Sequence, residues 1–198
     1  MAVIGIGVSN TPLIRMLLRA GVAVTACDKN SREAFDDGRV DELERLGARL
    51  RLGAGYLDRL DEDVIFRTPG LRPDVPALEA ARARGSIVTS EMEVFFKVCP
   101  CPIIAVTGSD GKTTTTTIIA KLLERAGRRV HLGGNIGKPL LPEAGEMGPE
   151  DIAVLELSSF QLMDMDRSPD IAVVTNLAPN HLDVHKSMEE YVWAKENI

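Results

Sequence analysis

The sequence has few cysteines, few aromatic residues and no long apolar run. Only 3 of its 198 residues are cysteine, and aromatic residues make up 4%. The spacing of Cys27, Cys99 and Cys101 fits neither a disulfide framework nor a Cys-x-x-Cys metal pair, so we expect the reduced thiols of a cytoplasmic protein. No stretch has the length and apolarity of a membrane span, and the N-terminal residues lack the pattern of a signal peptide. We therefore expect no membrane partner.

An excess of basic residues is also missing. The chain has 23 lysine and arginine residues against 29 aspartate and glutamate residues, a formal net charge of -6. Because a nucleic-acid-binding surface needs a concentrated basic face, we expect no nucleic-acid partner. Hydrophobic residues make up 44% of the chain, which is enough for a sizeable core in one large or two small domains.

Short apolar runs alternate with helical patterns along the chain. Strands are predicted at 3–6, 22–27, 64–66, 87–89, 103–107, 130–132, 152–157 and 171–175. The first helix is predicted to start after an N-cap at Thr11, with Pro12 in the first helical position. Further helices are predicted at 40–46, 77–84, 91–98, 112–126 and from about 188. The apolar face of the helix at 112–126 is predicted to comprise Ile118, Ile119, Leu122 and Leu123. Strands separated by helices indicate an α/β fold with parallel sheets.

The turn after the strand at 103–107 carries the strongest chemical signal. Gly108-Ser109-Asp110-Gly111-Lys112-Thr113-Thr114 leads from that strand into a helix, as in a phosphate-binding loop. Its backbone N–H groups and the helix N-terminus can bind a polyphosphate. Lys112 would reach the outer phosphates of a nucleoside triphosphate, and the Thr113 hydroxyl would hold Mg²⁺. Val106 stands where the general pattern has a further glycine, and a simple turn is the alternative.

A second glycine-rich turn, Gly5-Ile6-Gly7-Val8-Ser9-Asn10, follows the first strand, and Asp28 ends the second. This spacing is typical of a nucleotide site at a helix N-terminus. Asn10 replaces the third glycine of the dinucleotide pattern, which favours a nucleotide or nucleotide-sugar diphosphate over NAD. Thr68-Pro69-Gly70 follows a later strand and would border the same crevice. Glycines that serve only a tight turn are the alternative.

Two prolines in Cys99-Pro100-Cys101-Pro102 interrupt the alternation of strands and helices. We predict a Rossmann-like parallel-sheet domain at 1–98, a linker at 99–102, and an incomplete P-loop parallel-sheet domain at 103–198.

Polar residues follow two further strands of the second domain. Glu156 ends the strand at 152–157, at the edge where the phosphate loop is expected, and can bind Mg²⁺ directly or through water. His181 follows the strand at 171–175 and would reach the same rim, with His185 four residues beyond it. No second acidic or cysteine ligand completes a zinc site around these histidines. The alternative, which the phosphate loop makes less favourable, is that Glu156 is a surface residue at a strand end and His181 an ordinary histidine.

Together these motifs resemble the Mur ligase family. The resemblance rests on the segments 107–114, 133–137, 155–162, 180–183 and 191–195. The string Glu-Leu-Ser-Ser-Phe-Gln-Leu at 156–162 is similar to the family member that adds D-glutamate. Asn180 departs from the pattern, since many relatives have Asp before the histidine, and this puts a proton-handling role for that acid in doubt.

The resemblance implies an ATP-dependent amide ligase of peptidoglycan synthesis, cytoplasmic and built from three domains. ATP would phosphorylate the carboxylate of UDP-N-acetylmuramoyl-L-alanine, and the amine of D-glutamate would attack the acyl phosphate. The third domain, which contributes to binding ATP and D-glutamate, is expected to be missing from a chain that stops at Ile198. We therefore expect this chain to bind substrate without completing ligation.

The resemblance also assigns roles to individual residues. It implies catalytic roles for Lys112, His181 and Lys195, with Lys195 carbamylated. It implies Mg²⁺ ligation by Thr113, Glu156, His181 and carbamylated Lys195. The implied substrate contacts are Val8, Ser9, Asn10, Asp28, Lys29, Thr68, Gly70, Asn135 and His181. Two alternatives stay open, a sister ATP-dependent amide ligase and a nucleotide-binding regulatory module, while a dehydrogenase is a distant third.

Overall fold

The computed structural model describes residues 1–179 and 185–198. These residues form two compact units, Met1–Glu91 and Met92–Ile198, each with its own parallel sheet. The predicted linker at 99–102 lies within the second unit, and the domain limits at 98 and 103 stay a prediction. In the described part of the chain, no helix has the length and apolarity needed to cross a membrane.

The first unit is built on five parallel strands. They are β1 (Ala2–Ile4), β2 (Thr25–Asp28), β3 (Arg49–Leu52), β4 (Val64–Phe66) and β5 (Ile87–Thr89). Its helices are α1 (Asn10–Arg19), α2 (Arg39–Arg45) and α3 (Pro76–Ala83), and α4 (Glu91–Val98) begins at the limit of the unit. The strand order β3-β2-β1-β4-β5 reverses direction at β1, as in doubly wound nucleotide-binding sheets.

Apolar side chains of the central strands and of α3 form the core of the first unit. The buried cluster comprises Ala2, Ile4, Cys27, Leu60, Ile65, Leu78 and Ala81. A strand buried on both faces reads as a continuous apolar run, which is why β1 and β4 were recognisable from sequence.

The second unit has four parallel strands. They are β6 (Ile103–Thr107), β7 (Val130–Gly134), β8 (Ile152–Glu156) and β9 (Ile171–Val174), in the order β7-β8-β6-β9. The helices that follow α4 are α5 (Lys112–Arg125), α6 (Ser159–Leu162) and α7 (Met188–Glu196). Both sheets confirm the predicted α/β class. Because β6 and β8 are neighbours, with Val106 opposite Glu156, the loop after β6 and the end of β8 lie at the same edge.

The predicted start of α1 is wrong. The helix begins at Asn10 rather than after Thr11, and the N–H of Thr11 already donates to the carbonyl of Gly7 at 3.0 Å. Pro12 is therefore the third helical residue. The Asn10 side chain, buried at the turn, donates to the carbonyl of Ile4 at 2.8 Å and ties the helix to β1.

The predicted burial of the α5 face is wrong for two of its four residues. Thr116 and Ala120 are the buried residues of this helix, Ile119 and Leu123 are half-buried, and Ile118 and Leu122 are 52% and 63% exposed. Small side chains at a spacing of four allow a helix to lie close to the sheet it crosses. The apolar periodicity therefore predicted the helix correctly but included two exposed residues in its buried face.

One of the strands and one of the α-helices described above were not predicted from the sequence. Strand β3 has the sequence Arg-Leu-Arg-Leu and lies at the edge of its sheet, where charged residues alternate with half-buried leucines. Helix α6 is only four residues long, but Ser158 and Gln161 form a capping box at its start. The Ser-x-x-Gln pattern was a readable signal for that helix.

Candidate functional site

The phosphate loop lies between the end of β6 and the start of α5. Gly108 has φ +142, and a Cβ at this position would lie 1.9 Å from Thr175 Oγ1. Gly111 has φ +78 and is the N-cap of α5. Both positions therefore require glycine, one because of a close neighbour and the other because of the left-handed backbone. These constraints fit a loop held in one conformation rather than a free turn.

The segment after β9 braces this loop. The N–H of Ser109 donates to the Asn176 carbonyl at 3.0 Å, and the N–H of Asp110 donates to Asn176 Oδ1 at 3.0 Å. The Thr175 hydroxyl donates to the carbonyl of Asp110 at 2.6 Å. Two backbone N–H groups of the predicted phosphate-binding loop thus already donate hydrogen bonds to acceptors within the protein. The first N–H groups of α5, which have no acceptor inside the helix, remain as donors for a phosphate.

Ser109 makes a second set of contacts, through its side chain. Its hydroxyl oxygen is 2.9 Å from the hydroxyl of Tyr191 on α7, and it accepts from the N–H of Ala178 at 2.9 Å. Ser109 and Tyr191 are both buried. Tyr191 therefore connects α7 to the phosphate loop, a link that no sequence signal indicated.

Lys112, the predicted phosphate-binding lysine, turns back over the loop. Its ammonium donates to the carbonyls of Gly108 and Ser109, both at 2.9 Å. A lysine in this position can transfer those hydrogen bonds to phosphate oxygens that enter the loop.

Thr113 and Glu156 lie in direct contact, as the cation-site hypothesis requires. The Thr113 hydroxyl donates to Glu156 Oε2 at 2.6 Å, and Asn135 Nδ2 donates to the other carboxylate oxygen at 2.9 Å. Glu156 is only 2% exposed. A hydroxyl and a carboxylate are the hard oxygen ligands that Mg²⁺ takes in nucleotide sites. The donor set therefore fits this ion.

The Gly133-Gly134-Asn135 segment reaches Glu156 because its backbone comes very close to β8. Gly134 has φ +94, and a Cβ there would lie 2.1 Å from the Glu156 carbonyl oxygen. The N–H of Asn135 donates to that same carbonyl at 2.7 Å. The segment thus positions the carboxylate, while the substrate contact predicted for Asn135 stays a prediction.

Lys195 on α7 is buried beside the phosphate loop. Its ammonium donates to the carbonyl of Gly108 at 3.0 Å and to Thr107 Oγ1 at 3.2 Å, and it lies 4.7 Å from the centre of the Tyr191 ring. Burial, reinforced by the positive charge of Lys112, lowers the pKa of Lys195 to about 8. In the described part of the chain, it has no carboxylate partner. Because lysines are mostly exposed, sequence alone favours a solvated lysine on the helix surface here, and the burial of Lys195 contradicts that expectation.

Of the two histidines singled out from the sequence, the structure describes His185 but not His181. His181, together with Asn180, lies outside the described residues. His185 is described and buried, with its Nε2 2.8 Å from Ser159 Oγ and its ring stacked on Phe160 at 4.9 Å between centroids. These contacts give His185 a packing role between α6 and the start of α7.

The first unit has a cavity of about 350 Å³ at the carboxyl edge of its sheet. Four predicted substrate residues line it, namely Asp28, Lys29, Thr68 and Gly70, together with Gly5, Gly7 and Tyr56. The three other substrate residues predicted in the first unit lie elsewhere. Val8 is 76% exposed, Ser9 is exposed, and Asn10 is buried against β1, and none of them lines the cavity.

Asp28 holds the glycine-rich turn in place. Its Oδ2 accepts the N–H of Ile6 at 2.7 Å, and its Oδ1 accepts the N–H of Asn30 at 2.9 Å. Both carboxylate oxygens are thus already hydrogen-bonded to the backbone of the cavity wall. This arrangement shapes the turn as well as contributing charge to the site.

Arg67 and Tyr56 were missed by the sequence analysis. Arg67 is 1% exposed and donates to the carbonyl of Leu71 at 3.0 Å, beneath the Thr68-Pro69-Gly70 turn. Tyr56 lines the cavity, and burial, followed by the charge of Asp28, raises the pKa of its phenol. An arginine at a strand end has no pattern that distinguishes a buried supporting residue from an exposed one.

The chain is similar to known proteins of one family. Residues 106–198 match the model of the Mur ligase middle domain. Over its full length the chain is 56% identical to the UDP-N-acetylmuramoylalanine--D-glutamate ligase of Clostridium botulinum strain Okra and 56% identical to that of Ruminiclostridium cellulolyticum. It covers 43% of each of these relatives, so it spans less than half of their length.

A solved structure supports the fold. The UDP-N-acetylmuramate:L-alanyl-gamma-D-glutamyl-meso-diaminopimelate ligase of Neisseria meningitides matches with a TM-score of 0.56 at 21% identity, covering 99% of this chain and 66% of that one. At this identity the likeness concerns the chain trace alone. The family resemblance noted from the motifs is confirmed by the family model and the curated relatives together.

Proposed function

Residues 106–198 belong to the Mur ligase family, and we propose on that basis that the chain supplies the two nucleotide-binding units of an ATP-dependent amide ligase. The proposed substrates are ATP, UDP-N-acetylmuramoyl-L-alanine and D-glutamate, and the proposed setting is cytoplasmic peptidoglycan synthesis. The observation that carries the proposal is the 2.6 Å contact between Thr113 and Glu156 at the mouth of the phosphate loop.

The proposed reaction has two steps. A carboxylate oxygen of the muramoyl-alanine substrate attacks the γ-phosphorus of ATP, and ADP leaves. The amine of D-glutamate then attacks the acyl phosphate carbon, and inorganic phosphate leaves as the amide forms. A carboxylate is a poor electrophile, so making phosphate the leaving group divides one difficult step into two easier ones.

Lys112 is proposed to stabilise the phosphoryl group during the first step. In the described structure its ammonium rests on two loop carbonyls, both at 2.9 Å. Phosphate oxygens would replace those neutral acceptors with charged ones, so that each hydrogen bond of the ammonium also becomes an ion pair. Preorganised positive charge of this kind lowers the barrier to transfer.

Thr113 and Glu156 are proposed to hold Mg²⁺, with Asn135 orienting the carboxylate. When bound, the ion neutralises charge on the phosphate oxygens. Glu156 is buried and fixed through both oxygens, so it offers a preformed ligand rather than one that must be ordered on binding. His181 is proposed to act near a second ion on the strength of the family resemblance alone.

Lys195 is proposed to be carbamylated. Its ammonium and that of Lys112 both donate to the Gly108 carbonyl, so two like charges converge on one oxygen. The lowered pKa of Lys195, about 8, leaves a larger share of reactive neutral amine at neutral pH than an ordinary lysine has. Reaction with carbon dioxide would exchange the buried cation for an anion beside Lys112, and this anion could serve as an oxygen ligand.

The cavity of the first unit is proposed to take the uridine diphosphate end of the substrate. Lys29 supplies positive charge, and Thr68 and Gly70 lie on the facing turn. The volume of about 350 Å³ is at the lower end of the range for small-molecule sites, which suits part of a nucleotide-sugar rather than the whole of it.

Isothermal titration calorimetry on the 198-residue chain tests the proposal. Separate titrations with ATP and Mg²⁺ and with UDP-N-acetylmuramoyl-L-alanine should each show one site. Lys112→Ala should weaken ATP about 10- to 100-fold, the effect of losing charge-assisted hydrogen bonds, and leave the second ligand unchanged. A chain that binds one nucleotide only would favour a regulatory module, and a chain that binds NAD instead would favour a dehydrogenase.

A further inference from the structure

Two thiols lie close together where the chain enters β6. Cys99 and Cys101 are separated by Pro100, and their sulfur atoms are 3.5 Å apart. The thiol of Cys99 also lies 3.4 Å from the carbonyl oxygen of Cys101. Neither thiol has a place in the proposed ligase chemistry, because β6 separates them from the phosphate loop.

The two thiols differ in their access to solvent. Cys99 is half-buried, whereas Cys101 is 6% exposed. The third cysteine, Cys27, is fully buried in the core of the first unit. A reagent from solution therefore meets Cys99 first, and Cys27 serves as an internal reference for a thiol that solvent does not reach.

The closeness of the Cys99 and Cys101 thiols is not explained by a metal site. Across residues 1–179 and 185–198, no group of three or more histidine, cysteine, aspartate or glutamate side chains is placed to hold an ion. Two thiols alone do not complete the four-coordinate shell that zinc takes in proteins. The arrangement instead has the features of a dithiol, one accessible sulfur with a second sulfur beside it.

We propose that Cys99 and Cys101 form a reversible intrachain disulfide when the protein meets a low-molecular-weight disulfide such as oxidised glutathione. The Cys99 thiolate attacks one sulfur of the reagent, a mixed disulfide forms, and one glutathione leaves as its thiolate. Cys101 then attacks the Cys99 sulfur, passes its proton to the second departing glutathione and closes the ring. The protein loses two hydrogen atoms and the reagent becomes two thiols.

The assignment of attacking and resolving sulfur follows from the surroundings. Burial, together with the contact to Cys99, raises the pKa of Cys101 to about 12, so Cys101 is a thiol at neutral pH. A protonated thiol attacks slowly in solution, but a mixed disulfide on Cys99 holds the reacting sulfur beside it, which raises the effective concentration. Cys99 is therefore the entry point and Cys101 the resolving residue.

The rest of the segment is anchored, so ring closure affects few residues. The carbonyl of Pro102 accepts the N–H of Ala153 at 3.0 Å, and the N–H of Ile103 donates to Asp170 Oδ2 at 2.7 Å. The phosphate loop follows the far end of β6, about 17 Å along a five-residue strand. Oxidation should thus leave the nucleotide-binding residues in place, and the test does not depend on the proposed ligase activity.

The experiment incubates the folded 198-residue chain with oxidised glutathione, alkylates remaining thiols after denaturation, and maps tryptic peptides by mass spectrometry. Cleavage after Lys97 and Lys112 gives the peptide 98–112, which carries both Cys99 and Cys101, while Cys27 lies in the peptide 20–29. We expect the peptide 98–112 to lose two hydrogen atoms and resist alkylation until reduced. We expect the peptide 20–29 to be alkylated in full.

Single variants separate the two steps. Cys101→Ser should stop at a stable glutathione adduct on Cys99, whereas Cys99→Ser should react much more slowly, at least about tenfold, because the remaining thiol is buried. A wild-type chain that keeps a glutathione adduct, stays fully alkylatable, or links to a second chain would overturn the proposal. Equal reaction of Cys27 would overturn it as well, since the selectivity would then not come from the pair.

Discussion

Replacing Lys195 by methionine should change how the stability of the protein depends on pH. Lys195 is 3% exposed, and its ammonium is held by two neutral oxygens, the Gly108 carbonyl and Thr107 Oγ1. Burial and the nearby Lys112 lower its pKa from 10.5 to about 8. Methionine has a similar length and no charge, so the variant removes the titration while keeping most of the packing.

The size and sign of the effect follow from the two pKa values. One pKa unit corresponds to about 1.4 kcal/mol, so the charged lysine lowers the free energy of unfolding by about 3 kcal/mol relative to the neutral amine. Between the folded pKa of about 8 and the unfolded value of 10.5, the unfolded chain binds more protons, and stability therefore rises with pH. Below pH 8 both states are protonated and the penalty is constant.

Urea denaturation at several pH values in buffers free of carbon dioxide measures this effect. From about pH 7 to about pH 9.5, the free energy of unfolding of the wild type should rise by about 2 kcal/mol relative to Lys195→Met. Taking the difference cancels groups that titrate in both proteins. A difference that stays flat or falls over this range would refute the account of Lys195 as a buried lysine with a lowered pKa.

Three further changes test other parts of the site. Gly108→Ala should lower the free energy of unfolding by about 3 kcal/mol or more in urea titrations, because the new Cβ would lie 1.9 Å from Thr175 Oγ1. The control is Gly145→Ala, where a new Cβ meets nothing within 4 Å. It should change the free energy of unfolding by less than about 1 kcal/mol. Tyr191→Phe should cost about 1 kcal/mol and weaken ATP binding a few-fold in calorimetry, because the 2.9 Å contact to Ser109 is lost; unchanged values for both would contradict the bracing role. Arg67→Met should weaken uridine nucleotide binding and leave ATP binding unchanged, because the substitution loosens only the turn at Thr68. An equal loss of affinity for both ligands would indicate general unfolding instead.

The sequence predicted the bounds of β4 and β6 correctly, because strands buried inside a parallel sheet are continuous apolar segments. β5 also has the predicted bounds although it is an edge strand, because its Ile-Val-Thr sequence favours a strand even where Ile87 is exposed. β3 was missed because an edge strand with alternating arginines has no such run. Ile118 and Leu122 were wrongly assigned to the buried face of α5 because periodicity reports where apolar residues recur, while packing against a sheet selects small ones.

The position of the glycine-rich loop between β6 and α5 was predictable because it depends on consecutive residues, and the contact of Thr113 with Glu156 followed from parallel-strand geometry. The supporting residues were not predictable. Asn176 and Tyr191 reach the loop from elements more than 60 residues along the chain. Tyr191 begins one of the segments that resemble the family, but that segment did not indicate its contact with Ser109. The burial of Lys195 likewise depends on where α7 packs, which a sequence pattern does not determine.

The central claim is that Thr113 and Glu156 share a divalent cation at the phosphate loop. Electron paramagnetic resonance with Mn²⁺ as a substitute for Mg²⁺, in the presence of ATP, measures the occupancy of that site directly. We predict that Glu156→Gln weakens Mn²⁺ binding in the ATP complex at least about tenfold, while Glu150→Gln, an exposed glutamate of the same unit, leaves it unchanged. Equal Mn²⁺ affinity in the wild type and in Glu156→Gln would contradict the claim.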